Sequence, residues 1–180
     1  MLNLDLVLVL FAYALGCLNA GYYLLRWRDG RDIRQLGSGN AGARNAGRVL
    51  GRGGFALVFA LDAAKGLLAV LAARWLSHDA AALCALAAVL GHAYPIQLGW
   101  RGGKGVATAI GALAGLDLPV LGVAAVAFAM LRLARFAATP AALLALACAA
   151  AFALAFRSMS VGLATLALVA LLSHTHRPRR

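Results

Sequence analysis

The stretch GHAYPIQLGWRGGKGVAT, residues 91 to 108, is where an apolar segment stops and polar, glycine-rich backbone begins. A second apolar run opens at Val106, so the stretch reads as the link between two apolar helices at a membrane face. Gly99, Gly102, Gly103 and Gly105 admit backbone conformations closed to other residues, which lets consecutive N–H groups converge on an anion. Arg101 and Lys104 add charge, and the helix starting at Val106 adds unpaired N–H groups and the positive end of its dipole. The local chemistry is that of a phosphate pocket.

Composition places this pocket in a bilayer. Of 180 residues, 63% are hydrophobic and 13% charged, about half the charge of a soluble domain, so the chain is an integral membrane protein. Its net charge of +11 sits in short segments between long apolar runs, a topogenic distribution that argues against a nucleic-acid partner. The opening run lacks a basic leader and carries Asp5, so it reads as a transmembrane helix and not a signal peptide. Cys17, Cys84 and Cys148 fall in separate apolar runs without metal-like spacing and read as small core residues. No cytoplasmic carboxylate cluster stands out, so neither metal nor cofactor is implied. Abundant Ala and Gly suit close helix packing in lipid.

Apolar runs fall at about 4–25, 54–73, 80–98, 105–116, 118–131, 139–156 and 158–173, and predict an all-α integral membrane protein of seven transmembrane helices in one domain, residues 1–180. With the N-terminus outside and the C-terminus cytoplasmic, fourteen basic residues lie inside against two outside, Arg74 and Arg157, and Lys65 stays within a helix. Fusing 105–131 into one helix would leave ten against six, so seven crossings are preferred. Segment 26–53, the 99–104 loop and the C-terminal tail then share the cytoplasmic face.

Residues 37 to 54, GSGNAGARNAGRVLGRGG, repeat the character of the opening stretch. Ser38, Asn40, Asn45, Arg44, Arg48 and Arg52 suit phosphate oxygens, since a guanidinium offers a rigid fork of donors. Gly37, Gly39 and Gly42 match GxGxxG only formally, because no strand precedes them, and Lys104 is followed by Gly105, which excludes a Walker A loop. Arg26, Arg28, Arg31 and Arg34 read as topogenic charges. Asp62 and Lys65, three residues apart in an apolar run, share a helical face and read either as an ion pair locking helices or as part of a site. His92, before Pro95 at the end of the third run, is a candidate for substrate contact or catalysis. The tail SHTHRPRR contributes His174, His176 and Arg177 to the same side.

Together these segments resemble the acyl-phosphate-dependent glycerol-3-phosphate acyltransferases, small bacterial inner-membrane enzymes. SGNAGARNAGR at Ser38 to Arg48 is similar to the family's SGNPGATNxxR, GHAYPIQLGWRGGKGVAT to its GHxxPxFxxFKGGKGVAT, and Asp62, Lys65 and Gly66 to its DxxKG element. Ala41 and Arg44 stand where the family has Pro and Thr. In the third motif, which in the family runs on to a glutamate, His176 and Arg177 match, Arg179 stands where Asn is usual, and the sequence ends at Arg180.

The resemblance implies transfer of a fatty acyl group from acyl phosphate to the 1-hydroxyl of sn-glycerol 3-phosphate, without cofactor, in the bacterial inner membrane. It implies catalytic roles for Ser38, Arg48, His92 and Lys104. Substrate binding would fall to Asn40, Asn45, Arg101, Gly102, Gly103, Gly105, Thr108, His176 and Arg177. Implied partners are the two substrates, membrane lipids and other membrane enzymes of phospholipid synthesis. An activated donor with a good leaving group needs positioning and charge stabilisation more than covalent catalysis. The rival readings are a transporter of a phosphorylated anion, disfavoured because the polar segments gather on one face, and a non-catalytic scaffold, which the altered third motif would favour.

Overall fold

The computed structural model describes residues 3–177, and these are helical apart from turns and links. Helix α1 (Leu4–Cys17) is capped by Asn3, whose Oδ1 accepts the Asp5 N–H at 3.0 Å. It breaks at Leu18 and resumes as α2 (Ala20–Asp29) with a bend of 43°, so the single helix expected over 4–25 is two. A break in apolar surroundings exposes carbonyls that need partners. Side chains supply them: Asn19 Nδ2 and Gln97 Nε2 donate to the Cys17 carbonyl at 3.2 and 2.7 Å, and Lys65 Nζ to that of Leu18 at 2.8 Å.

Helix α3 (Ala43–Leu76) also departs from expectation, starting well before the apolar run at 54 and interrupted at Gly51, whose φ of 76° lies outside helical space. Its early start is driven by burial: Ala43 and Ala46 pack with Leu25, Ile33, Ala41 and Val58. There follow α4 (Ala81–Ala93), α5 (Val106–Leu116), α6 (Leu118–Leu133), α7 (Ala138–Phe156) and α8 (Met159–Thr175), close to the expected runs. By length and hydropathy three segments suffice to cross a bilayer, Ala43–Leu76, His78–Leu98 and Ala138–Phe156, and the bent α1–α2 pair is a fourth. Helices α5, α6 and α8 are shorter, at 11, 16 and 17 residues. Leu10, Leu68, Leu83, Val126, Leu133, Phe156 and Leu163 all face outward, as lipid solvation allows and water does not. Cys148 is among the outward residues, while Cys17 and Cys84 are buried. The chain is a multi-pass helical membrane protein.

Glycines set the helix spacing. A Cβ at Gly66 would overlap the Thr108 carbonyl oxygen, and one at Gly111 would overlap that of Ala63, so α3 and α5 touch backbone to backbone at two points. Gly16 and Gly91 do the same between α1 and α4, against Ala88 and Tyr13. At the far end of α5, Asp117 caps α6 through the Val120 N–H at 3.1 Å and binds Arg157 at 2.7 Å, while Arg74 donates to the Gly115 carbonyl at 2.8 Å. The helix ends opposite this clamp carry the candidate site.

Because the Ala63 backbone cannot yield as a flexible side chain would, Gly111→Leu is expected to destabilise the protein by about 3 kcal/mol. Leucine at Gly122, where no atom lies within 4 Å, should leave the thermal midpoint in detergent nearly unchanged.

Candidate active site

The first wall is the loop before α3, and one buried side chain shapes it. Asn45 Nδ2 donates to the carbonyls of Ile33, Leu36 and Asn40 at 3.0, 2.9 and 2.9 Å, and its Oδ1 accepts the Ser38 N–H at 2.8 Å. Asn45 thus organises the loop, and it also lines the cavity. The loop turns back through Gly37 and Gly39, at φ of 57° and 70°, and leaves Ser38 exposed on the cavity wall. Asn40 lines it too, its Oδ1 accepting the Gly42 N–H at 2.8 Å.

The second wall is the link between α4 and α5. Beyond Pro95 the chain makes a 3₁₀ turn, Ile96–Leu98, and passes Gly99 and Trp100 at φ of 62° and 63°. It then folds back on α4, where the N–H groups of Gly102 and Gly103 donate to the carbonyls of Ala93 and His92 at 3.1 and 3.0 Å. Those amides, expected to converge on an anion, are consumed by the end of α4, whose last carbonyls lack helical partners. Gly103 is required for another reason: a Cβ there would collide with His92 Nε2. Gly105, at φ 87°, opens α5 and borders the cavity with Lys104. Arg101 is exposed and Thr108 fully buried beneath Gly66, and neither reaches the cavity.

Arg34, read as topogenic, instead ties the two walls together. Its fork grips Asp32, with Nη2 2.7 Å from Oδ2, and its Nη1 donates to the carbonyls of Leu98 and Arg101 at 2.6 and 3.2 Å. The guanidinium lies 5.0 Å from the Tyr22 ring centre and holds the Asp32 carboxyl below the usual carboxylate range. The Asp-x-Arg spacing was the only sequence trace of this tie.

The third wall is the end of α8. Thr175 Oγ1 lies 3.0 Å from the carbonyls of both Lys104 and Leu172, which share its one proton, and His176 Nδ1 donates to that of Leu172 at 2.8 Å. That bond makes Nδ1 the protonated nitrogen and leaves Nε2 as an acceptor in the neutral ring. Burial pushes the imidazole below the ordinary histidine range, the Leu172 bond opposes this, and the charges of Lys104 and Arg44 add to it. Arg179 lies outside the described residues.

These walls enclose a cavity of about 1080 Å³. Ser38, Arg44, Arg48, Lys104, His176 and Arg177 line its polar end, Asp62 and His92 its floor, and Ile110, Leu113, Leu121, Phe128, Leu143 and Leu146 an apolar arm between α5, α6 and α7. Asp62 Oδ1 lies 2.9 Å from Lys65 Nζ and 3.5 Å from His92 Nδ1, so the sequence-paired residues do pair, and Asp62 enters the floor of the site with His92. Thr139, on the first turn of α7, had no sequence signal; it accepts from Arg44 Nη1 at 3.0 Å.

The site of this multi-pass helical membrane protein is thus a cationic mouth above an apolar arm. The sequence model of the family described as glycerol-3-phosphate acyltransferase matches residues 6–180. The glycerol-3-phosphate acyltransferase 1 of Desulfitobacterium hafniense (strain Y51) is 50% identical over 125 residues, covering 68% of this chain and 61% of its own length. That of Synechococcus sp. (strain CC9902) is 47% identical over 122 residues, with 67% and 61% covered. The matched part of this chain thus spans about three fifths of those relatives. A crystal structure of PlsY (YgiH), an integral membrane glycerol 3-phosphate acyltransferase, in its glycerol 3-phosphate form, superposes with a TM-score of 0.88 at 34% identity, covering 97% of this chain and 88% of that one. The chain belongs to the glycerol-3-phosphate acyltransferase family.

Since folding lowers the His176 pKa from an unfolded value of about 6.5, the unfolded chain binds the proton first on acidification. Its contribution to stability is present above about pH 6.5 and lost as pH falls through the folded value, so His176→Gln should flatten the decline of thermal midpoint between about pH 7 and 5. Asn45→Ala, which strands one buried and three partly buried backbone groups, should cost about 2–4 kcal/mol by the same measurement.

Proposed function

We propose that this protein transfers a fatty acyl group from acyl phosphate to the 1-hydroxyl of sn-glycerol 3-phosphate, releasing lysophosphatidic acid and inorganic phosphate. The observation that carries the reading is a single cavity in which Arg44, Arg48, Lys104 and Arg177 stand at the mouth of an apolar arm. Two phosphate-bearing substrates call for such a density of fixed cations, and a fatty chain calls for the arm. Arg48, Lys104 and Arg177 hold the phosphates and bring the glycerol hydroxyl to the acyl carbon. As the hydroxyl oxygen bonds to the carbonyl carbon, Ser38 Oγ and neighbouring cations steady the oxyanion. The acyl carbon–oxygen bond to phosphate then breaks, its electron pair leaving on phosphate. Nε2 of neutral His176 takes the hydroxyl proton. His92, buried on the floor beside Asp62, positions the Gly103 loop from below.

The same reading places the protein in the bacterial inner membrane with seven crossings, the N-terminus outside and the site facing the cytoplasm. Supporting it, the basic residues gather at the helix ends around the cavity, while Arg74 and Arg157 lie at the opposite ends of α3 and α7.

Purified protein in detergent, given glycerol 3-phosphate and palmitoyl phosphate, should form lysophosphatidic acid and phosphate in equal amounts. Folded protein that makes neither would overturn the assignment, and uptake of glycerol 3-phosphate into proteoliposomes without product would favour a transporter. Lys104→Ala should raise the glycerol 3-phosphate KM at least about tenfold, the loss of one charged hydrogen bond.

A further inference from the structure

We propose that Arg44, held by Thr139, is the residue that selects the acyl-phosphate donor, its guanidinium gripping the donor's phosphate where the charged mouth meets the apolar arm. The inference rests on the acyltransferase reading and assigns one of the two phosphates to one side chain. Arg44 sits in the first turn of α3, a turn without an acidic residue, where the positive end of the helix dipole disfavours a cation. A bound anion removes that penalty. The side chain is exposed to the cavity and does not fold away, because its Nη1 reaches across to Thr139 Oγ1 at 3.0 Å. A guanidinium has five N–H donors in a planar fork, and Thr139 takes one while fixing the orientation of the rest.

The position of the bridge decides which phosphate it serves. Thr139 opens α7, and Ala138, Ala142, Leu143 and Leu146 of the same helix line the apolar arm. In an acyl phosphate the phosphate is attached at the carboxyl carbon, so a chain lying in the arm must leave its phosphate at the arm's entrance. Arg44 stands at that entrance. Glycerol 3-phosphate has no chain to anchor it there, and Lys104 and Arg177 are carried on the other two walls. Arg44 lies within electrostatic reach of His176, which brings the donor phosphate to the group that receives the hydroxyl proton.

Steady-state kinetics of full-length Arg44→Thr, Arg44→Lys and Thr139→Ala in detergent, with each substrate varied in turn, test the assignment. Arg44→Thr should raise the palmitoyl phosphate KM about tenfold, as expected for a charge-assisted fork, with the glycerol 3-phosphate KM within about twofold. Arg44→Lys should recover part of the loss, and Thr139→Ala should show a smaller rise on the donor alone. An unchanged donor KM, equal rises for both substrates, or a loss confined to kcat and folded yield would overturn it. Failure of the unaltered protein to form product would instead sink the acyltransferase reading, which keeps the two outcomes apart.

Discussion

Lys65 holds its ammonium between the Asp62 carboxylate, at 2.9 Å, and the Leu18 carbonyl, at 2.8 Å, inside a bundle where neither charge is open to water. Three parts of the structure depend on that arrangement. The carbonyl belongs to the break between α1 and α2, which without a donor would leave an orphan acceptor in apolar surroundings. The carboxylate reaches the floor of the cavity, where its Oδ1 also faces His92 Nδ1 at 3.5 Å. His92 in turn holds the glycine link, its carbonyl binding the Gly103 N–H while its ring fills the space a Cβ would need. Removing one member of a buried ion pair commonly costs about 3–5 kcal/mol because the other is left uncompensated. A polar chain from Leu18 to Gly103 is retained on those terms.

Around this axis the site is assembled from segments far apart in sequence, each immobilised by a side chain bonded to the backbone of another. Asn45 shapes the loop that presents Ser38, Arg34 staples that loop to the link after α4, and Thr175 fastens the end of α8 to the Lys104 carbonyl. Part of the backbone of the mouth is spent on internal bonds, the Ser38, Gly102 and Gly103 N–H groups among it. Side-chain charge stands beside it in the lining: Arg44, Arg48, Lys104 and Arg177. An anion site built on guanidinium and ammonium groups is strong and salt-sensitive, unlike one built on a backbone nest.

Glycine has two separate duties here. At Gly66, Gly111, Gly16 and Gly91 it lets helices meet backbone to backbone, which in lipid replaces the hydrophobic drive that water would supply. At Gly37, Gly39 and Gly105 it permits positive φ in the walls of the mouth. The two are coupled, because the Gly66–Thr108 contact sets how closely α5, and Lys104 just before it, approaches the Asp62 floor.

Most of the helical architecture and the outline of the site were legible in the sequence alone. Apolar runs located α4 to α8, and the spacing of Asp62 and Lys65 announced their pairing, because both signals are local and follow from helical periodicity. The motifs brought Ser38, Arg48, Lys104, His176 and Arg177 to notice, and all five line one cavity. Only the tertiary structure decided which polar groups were already taken. The break at Leu18, the burial of Thr108 and the staple made by Arg34 depend on partners distant in sequence, while the consumed amides of Gly102 and Gly103 and the committed Asn45 depend on how a loop folds back on residues 5 to 12 positions away. Spacing along a chain specifies what a residue offers; whether a donor is left for a ligand depends on which acceptors the fold has placed beside it.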